Sequence, residues 1–159
     1  MDLDRYVPAL LIFIANRLTN SGSALYRRQL KLGMMDFRVL AMLSIEPGAS
    51  GARIAEVIGL DKAAVSRTLA SLESRTLVRS KNGIGRARQL TLTKSGSVLY
   101  QRAWLLAQER ERRLITTFSA SEQQILREML RRLLKATDHV AKLSEELPTN
   151  AVRQTNVRS

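Results

Sequence analysis

Apolar residues recur at three- and four-residue spacing along most of the chain, a pattern that predicts helices. The longest stripes predict three extended helices, over residues 4–25, 94–117 and 121–146. Thr93 is placed to cap the second of these helices, and Ser119–Glu122 has the sequence of a capping box before the third. The three helices carry more apolar surface than a small domain can cover, which favours self-association.

Shorter elements are predicted between the first and second of these helices. Three helices each follow a residue that favours N-caps: Asp36 before a helix to Ile45, Ser50 before one over 51–58, and Asp61 before one to Ser74. Ala55, Gly59 and Val65 lie where a helix-turn-helix needs a small residue, a turn glycine and an apolar contact. Residues 77–81 and 88–92 alternate as strands around turn residues. The predicted fold is mostly α with a small β part (α+β), a helix-turn-helix followed by a hairpin.

The hairpin lies in a basic segment of the chain. Residues 74–108 contain no acidic residue and seven cations, and the 159-residue chain has a formal net charge of +12. Such a surface attracts polyanions, either nucleic acid or an anionic membrane face. The longest apolar run, Pro8–Ala15, is far shorter than the ~20 residues of a membrane-spanning helix. We therefore expect a soluble, cytoplasmic protein that binds nucleic acid and not membrane.

Eight residues are the main candidates for contact with double-stranded DNA. Residues near the start of a recognition helix reach base edges in the major groove, and cations of a following hairpin reach phosphates or the minor groove. The candidates are Lys62, Ala63, Ser66 and Arg67 on the helix, and Arg75, Lys81, Arg86 and Arg88 after it, with Arg79 as a further phosphate contact. Arg67 suits a bidentate contact with guanine. The alternative for Arg67 is that it pairs with Glu73 or with solvent and has no role in DNA binding.

The chain is poor in catalytic side chains. It has no cysteine and a single histidine, His139. One imidazole without a thiol or a second histidine makes neither a metal cage nor a Cys–His pair. We expect neither an enzyme nor a protein that holds a metal or another cofactor.

Taken together, the motifs resemble the MarR family of winged helix-turn-helix transcriptional regulators over residues 4–146. The matching motifs are 54–61, Val65–Arg67 with Leu72–Glu73, Leu77–Arg79, Gly85–Arg86, Leu92–Gly96 and 118–122. The resemblance implies a homodimer whose two winged lobes bind a pseudo-palindromic operator, acting as a repressor that a small ligand releases. We expect residues 4–30 and 97–146 to form the helical dimerisation region, residues 33–95 the DNA-binding domain, and residues 147–159 a disordered tail.

Family members often bind aromatic acids or phenolic compounds between the dimer layer and the DNA lobe. The resemblance implies such an effector pocket here, lined by the first helix, the helix after Asp36 and the long helix around Trp104. Its candidate anchors are Arg17, Phe37, Arg38 and Trp104, an arginine suiting a carboxylate. Because the chain lacks cysteine, the thiol-oxidation switch of peroxide-sensing relatives cannot operate.

Two positions depart from the family pattern. The wing usually carries an acid two residues before the arginine that matches Arg86, and here that position is Ile84. The glycine that usually ends the recognition helix is Thr76, which we expect to change the helix exit. The alternatives to a specific regulator are a non-specific architectural or RNA-binding basic protein, and an enzyme or protein-interaction winged helix. The aromatic content of 4% disfavours a base-stacking platform.

Overall fold

The computed structural model describes residues 3–82 and 88–146. In chain order its elements are a 3-10 helix (Leu3–Arg5), α1 (Val7–Leu30), α2 (Met34–Ile45), α3 (Gly51–Ile58), α4 (Lys62–Ser74), β1 (Val78–Asn82), β2 (Arg88–Leu92), α5 (Lys94–Ile115) and α6 (Ala120–Glu146). β1 and β2 pair in antiparallel fashion, and we call them the hairpin. The predicted fold class, mostly helical with a small sheet, is confirmed.

Local sequence chemistry fixes the limits of α3 and α4. Ser50 Oγ accepts a hydrogen bond from the backbone N–H of Arg53 at 3.2 Å, and Asp61 Oδ2 accepts one from that of Ala64 at 3.0 Å. Gly59, between the two helices, has φ 64° and ψ 42°, a left-handed conformation that costs glycine no Cβ clash. The predicted caps and turn of this helix pair are confirmed.

The two C-terminal helices also begin at their predicted caps. Thr93 Oγ1 accepts a hydrogen bond from the backbone N–H of Gly96 at 3.0 Å. At α6, the Ser119 N–H donates to Glu122 Oε2 at 2.8 Å and the Glu122 N–H donates to Ser119 Oγ at 3.4 Å. These reciprocal bonds are those of a capping box. α5 ends at Ile115, slightly before its predicted end.

Two boundaries near the start of the chain differ from prediction. α1 continues to Leu30, well past residue 25, because Tyr26 and Leu30 extend its apolar stripe into the core. Asp36 is not the N-cap of α2, which begins at Met34. Asp36 lies in the first turn and accepts a hydrogen bond from the N–H of the capping residue Gly33 at 2.8 Å. A carboxylate in this position satisfies the free N–H groups of the helix start from inside the helix.

The chain divides into two compact units, Met1–Glu109 and Arg110–Ser159. The first has a continuous core to which α2, α3, α4 and the hairpin contribute. Its largest fully buried side chains are Tyr26, Leu32, Leu40, Leu43, Ile54, Leu72, Val39 and Val65. The hairpin adds Val78 and Leu90 to this core. On α4 the buried residues are Val65, Leu69 and Leu72.

The second unit contains the end of α5 and the whole of α6. Gln123 donates hydrogen bonds from its side chain to the carbonyls of Ile115 at 3.2 Å and Phe118 at 2.9 Å, which ties the turn to the start of α6. An ion pair joins Arg127 to Glu111 at 3.2 Å. None of the helices within residues 3–82 and 88–146 has the length and apolar character needed to cross a membrane.

Candidate functional site

One face of α4 presents the predicted base-reading residues to solvent. Lys62, Ala63, Ser66 and Arg67 are all exposed, in the first turns of the helix. The opposite face packs Val65 into the core. The structure therefore brings these four residues together on one accessible surface, at the helix N-terminus that Asp61 caps.

Arg67 does not pair with Glu73. Within residues 3–82 and 88–146, the ion-pair partner of Glu73 is Arg88, whose Nη2 lies 2.7 Å from Glu73 Oε1. In the same part of the chain Arg67 forms no ion pair. The interpretation of Arg67 as the partner of Glu73 is therefore wrong, while a solvated Arg67 without a DNA role stays the alternative, since its exposed guanidinium is held by no acid among the described residues.

The hairpin cations occupy different faces. Arg79 and Lys81 are exposed on β1, and Arg79 Nε donates a hydrogen bond to Thr91 Oγ1 at 3.1 Å across the hairpin. Arg88 is also exposed, but its guanidinium is engaged with Glu73 and with Ser80 Oγ at 2.6 Å. Arg86 and Ile84 lie outside the described residues.

Arg75 joins α4 to the start of α2. It is the C-cap residue of α4, and its Nη1 lies 3.4 Å from Asp36 Oδ2. Its Nη2 donates a hydrogen bond to the backbone carbonyl of Lys31 at 3.1 Å. This placement differs from the predicted phosphate contact, because the half-buried guanidinium is held between two elements of the core instead of standing free on the surface.

The exit from α4 is fastened to the start of α5. Thr76 has φ 55°, in the left-handed region. Its carbonyl accepts hydrogen bonds from Thr93 Oγ1 at 2.7 Å and from Ser95 Oγ at 3.0 Å, and the Leu77 carbonyl accepts one from the Thr93 N–H at 3.0 Å. Thr76 takes a left-handed conformation that usually favours glycine, and the expectation that it changes the helix exit stays a prediction.

Four aromatic rings form a continuous stack that includes two of the predicted effector-pocket anchors. Tyr26 and Phe37 have ring centroids 4.8 Å apart, Phe37 and Tyr100 6.3 Å, and Tyr100 and Trp104 6.4 Å, with interplanar angles from 23° to 29°. The stack runs from the fully buried Tyr26 to Trp104, which is 46% exposed. The structure therefore connects Phe37 and Trp104, two of the predicted anchors, through Tyr100.

The two predicted arginine anchors are placed on α1 and α2. Arg38 is half-buried on α2 and donates a hydrogen bond from Nη2 to Thr19 Oγ1 of α1 at 3.2 Å. Arg17 is exposed on α1, two residues before Thr19. Arg38 thus links α1 and α2, while Arg17 faces solvent.

Sequence reasoning missed the roles of Glu73 and Tyr100. A signal existed for each of them. Strand alternation from the buried Leu90 places Arg88 on the helix-facing side of the hairpin, within reach of an acid on α4. Tyr100 precedes Trp104 by four residues, the spacing at which helical side chains stack.

These features define a class of protein. Two short helices joined by a glycine turn, an exposed cationic face on the second helix and an antiparallel hairpin on the same core make a winged helix-turn-helix. The chain is similar to a MarR/EmrR family transcriptional regulator from Acinetobacter sp. ADP1, with 32% identity, a TM-score of 0.81, and coverage of 87% of this chain and 99% of that chain. A sequence model of the MarR family matches residues 30–89. The chain belongs to the MarR family of transcriptional regulators, which are DNA-binding proteins and not enzymes.

Two further solved structures are informative. A MarR family protein from Mycobacterium tuberculosis, in complex with p-aminosalicylic acid, is 29% identical with a TM-score of 0.66, covering 78% of this chain and 95% of that chain. S. aureus MepR, in complex with DNA, shares the fold at 20% identity with a TM-score of 0.71, covering 82% of this chain and 95% of that chain. No curated protein sequence matches the chain.

Proposed function

We propose that this protein is a homodimeric, sequence-specific repressor that a small aromatic acid or phenolic ligand releases from DNA. The observation that carries the DNA-binding part is the exposed face of α4, where Arg67 stands beside Ser66 and Lys62 with no acid engaging it among the described residues. A free guanidinium near the start of such a helix suits bidentate contact with guanine, and Ser66 suits a base or phosphate. Lys81, Arg79 and Arg86 supply phosphate or minor-groove contacts in this proposal.

Selection of duplexes from a random pool at physiological salt tests this proposal. We expect an enriched inverted repeat, because two lobes of a dimer read two half-sites. Arg67→Ala is then expected to lose roughly 5- to 150-fold in affinity for that repeat, equivalent to about 1–3 kcal/mol, and to relax the preference at one base position. Arg53→Ala is the matched control, since Arg53 is an exposed arginine already paired with Glu46 and Glu56. If the protein retains duplexes but no sequence among them is enriched, the result supports a non-specific architectural protein instead.

The homodimer is supported by the apolar surface of three helices. In the isolated chain, large apolar side chains stand exposed along α1, α5 and α6: Val7, Leu10, Leu11, Ile12, Phe13, Ile14, Val98, Trp104, Leu105, Leu114, Ile125, Met129, Leu130, Leu133, Leu134 and Val140. Large apolar side chains exposed in such numbers along a helix mark an interaction surface. We therefore assign residues 4–30 and 97–146 to the dimerisation region and residues 33–95 to the DNA-binding domain.

Glutamate substitutions at two exposed apolar residues, Leu134 and Ile45, test which surface forms the dimer. Leu134 on α6 is 72% exposed and Ile45 on α2 is 78% exposed, so neither substitution disturbs the core. We expect Leu134→Glu to shift the protein to monomer in sedimentation velocity, because a carboxylate is desolvated in the interface. Ile45→Glu should remain dimeric. Equal behaviour of the two variants contradicts the assignment of α6 to the interface.

The ligand part of the proposal rests on the ring stack and its neighbouring arginines. An aromatic ring adds to an offset stack of rings, and the half-exposed Trp104 offers such a face. Arg38 and Arg17 lie on the helices beside the stack and suit a carboxylate. The relative from M. tuberculosis is bound to p-aminosalicylic acid, which carries both an aromatic ring and a carboxyl group.

Salicylate is the probe for this part. Trp104 is the single tryptophan of the chain, so its fluorescence reports on the end of the stack. We expect salicylate to quench this fluorescence and to release the selected duplex over the same concentration range. Arg38→Ala should weaken both effects, and Arg53→Ala should weaken neither. Release of DNA without any change in fluorescence contradicts a pocket at Trp104.

Adjacent residues of α2 connect the ligand site to α4. Phe37 belongs to the ring stack, and its neighbour Asp36 lies against Arg75 at the end of α4. In this proposal a ligand that shifts Phe37 also shifts Asp36, the preceding residue of α2, and so loosens its contact with Arg75 at the end of α4. The ion pair between Asp36 of α2 and Arg75 at the end of α4 thus gives the ligand site a direct structural connection to the DNA-binding helix.

A further inference from the structure

The hairpin has two faces with different chemistry. Successive strand residues point to opposite faces, and directly paired residues share a face. Ser80 pairs with Leu90, and the burial of Leu90 marks this as the face toward the core. Arg88, two residues before Leu90, lies on that same face. Arg79 and Lys81 lie on the other face.

One guanidinium nitrogen of Arg88 joins three elements. Nη2 donates to Glu73 Oε1 of α4 at 2.7 Å and to Ser80 Oγ of β1 at 2.6 Å, while Arg88 itself begins β2. The Glu73 side chain is 24% exposed, so its charge is partly desolvated. Hydrogen bonds between a guanidinium and a carboxylate are short and directional. Arg88 therefore holds both strands of the hairpin against the last turn of α4.

We propose that Arg88 is a positioning residue for DNA recognition, which sets the place of the hairpin relative to the base-reading face of α4 and thereby the sequence preference. This inference rests on the proposed function, in which α4 and the hairpin bind the same duplex. The Arg88–Glu73 pair is electrically neutral and adds nothing to the count of phosphates neutralised. Its contribution is to specificity through geometry.

A phosphate contact by Arg88 makes the opposite prediction. In that case Arg88 leaves Glu73 on binding and adds one cation to the interface. The dependence of the logarithm of affinity on the logarithm of salt concentration has a slope of about −0.9 per phosphate neutralised. Loss of Arg88 then lowers the steepness of this dependence by about one unit and weakens binding to all duplexes equally.

The double variant Glu73→Gln, Arg88→Gln separates these possibilities because it keeps the net charge of the wild type. Affinities for the selected inverted repeat and for an unrelated duplex are measured at several salt concentrations, with both single variants and with Lys81→Gln as the control at an exposed hairpin cation. We expect the double variant to lose about tenfold in the ratio of specific to non-specific affinity, within the range of couplings between contacting residues. Its salt slope should stay that of the wild type, while Lys81→Gln lowers the slope by about 0.9.

The single variants and the unfolding midpoint complete the test. Each single variant should lower the specificity ratio by as much as the double variant, because each breaks the same bridge. Glu73→Gln and the double variant should unfold close to the wild-type midpoint, since neither leaves an unpaired charge at the partly buried Glu73 position, whereas Arg88→Gln leaves one and should unfold somewhat earlier. An unchanged ratio for the double variant, or a slope lowered by Arg88→Gln as much as by Lys81→Gln, overturns the positioning role. Absence of sequence preference in the wild type overturns the proposed function itself.

Discussion

Substitution of Gly96 by alanine tests the junction between α4 and α5. Gly96 is buried in the first turn of α5, and a Cβ built on it lies 1.9 Å from the carbonyl oxygen of Leu77 and 2.9 Å from its carbonyl carbon. A carbon in contact with a carbonyl oxygen lies no closer than about 3.3 Å, so the two backbones must separate by roughly 1.4 Å. The atoms that the added Cβ meets belong to the Leu77 backbone, so no flexible side chain can move aside to make room.

This separation breaks the hydrogen bonds that fasten the junction. The bonds from Thr93 Oγ1 and Ser95 Oγ to the Thr76 carbonyl and from the Thr93 N–H to the Leu77 carbonyl are 2.7 to 3.0 Å long, and none remains a hydrogen bond after such a shift. Three bonds at about 1 kcal/mol each give a loss of about 3 kcal/mol. Alanine is more favourable than glycine in a helix by up to about 1 kcal/mol, which offsets part of this loss.

We therefore expect Gly96→Ala to reduce the free energy of unfolding by about 2–3 kcal/mol, which corresponds to a fall of roughly 5–10 °C in Tm for a chain of this size. Urea denaturation followed by circular dichroism measures the change, at one fixed protein concentration because dimerisation contributes to apparent stability. Gly51→Ala is the control: its Cβ meets the flexible Leu69 Cδ1 at 3.3 Å. Its expected effect is within about 0.5 kcal/mol. Wild-type stability of Gly96→Ala refutes the close approach of α5 to Leu77.

Three further predictions concern backbone strain, a helix start and pH. Thr76→Gly should raise the urea midpoint, with a net gain of about 0.5 kcal/mol in the free energy of unfolding, because the strain relieved at a left-handed threonine slightly exceeds the entropy that glycine loses on folding. Thr76→Ala keeps the Cβ and should not raise the midpoint. Asp36→Ala should cost about 1–2 kcal/mol, since the Gly33 N–H and Arg75 lose their shared acceptor. The pKa of Glu122 is lowered, first by the Ser119 N–H that its carboxylate accepts and then by the Ser119 hydroxyl. Glu122 therefore contributes fully to the stability of the start of α6 above the ordinary carboxyl pKa of about 4.3, and this contribution is lost as pH falls through its lowered pKa. In Glu122→Gln, helicity measured by circular dichroism should consequently fall less steeply as the solution is acidified.

Elements fixed by short-range chemistry were predictable from the sequence. Ser50, Asp61 and Thr93 each accept a hydrogen bond from an N–H three residues ahead, and Gly59 makes a turn that needs a left-handed residue. Such contacts depend on a few neighbouring residues and survive in any tertiary context. The exposed face of α4 followed from helical periodicity in the same way.

Contacts between residues far apart in the chain were not predictable. Arg75 reaches Asp36 across 39 residues, and Arg88 reaches Glu73 across 15. From the sequence alone the five candidate cations from Arg75 to Arg88 were equivalent, since nothing in their spacing reveals which of them an acid will hold. The direction of each side chain depends on how the elements pack, and packing divides the predicted phosphate contacts into free and engaged cations.

The left-handed Thr76 shows how the backbone at the exit of α4 is held in a conformation that usually favours glycine. A left-handed conformation costs a non-glycine residue about 1–2 kcal/mol and persists only where the surroundings determine it more strongly. Here the Thr76 carbonyl accepts two hydroxyl hydrogen bonds, and Arg75 immediately before it is held by Asp36 and the Lys31 carbonyl. Each of these contacts comes from another element, and together they offset the strain. The exit of α4 is therefore held by contacts from neighbouring elements, which outweigh the strain of a left-handed threonine.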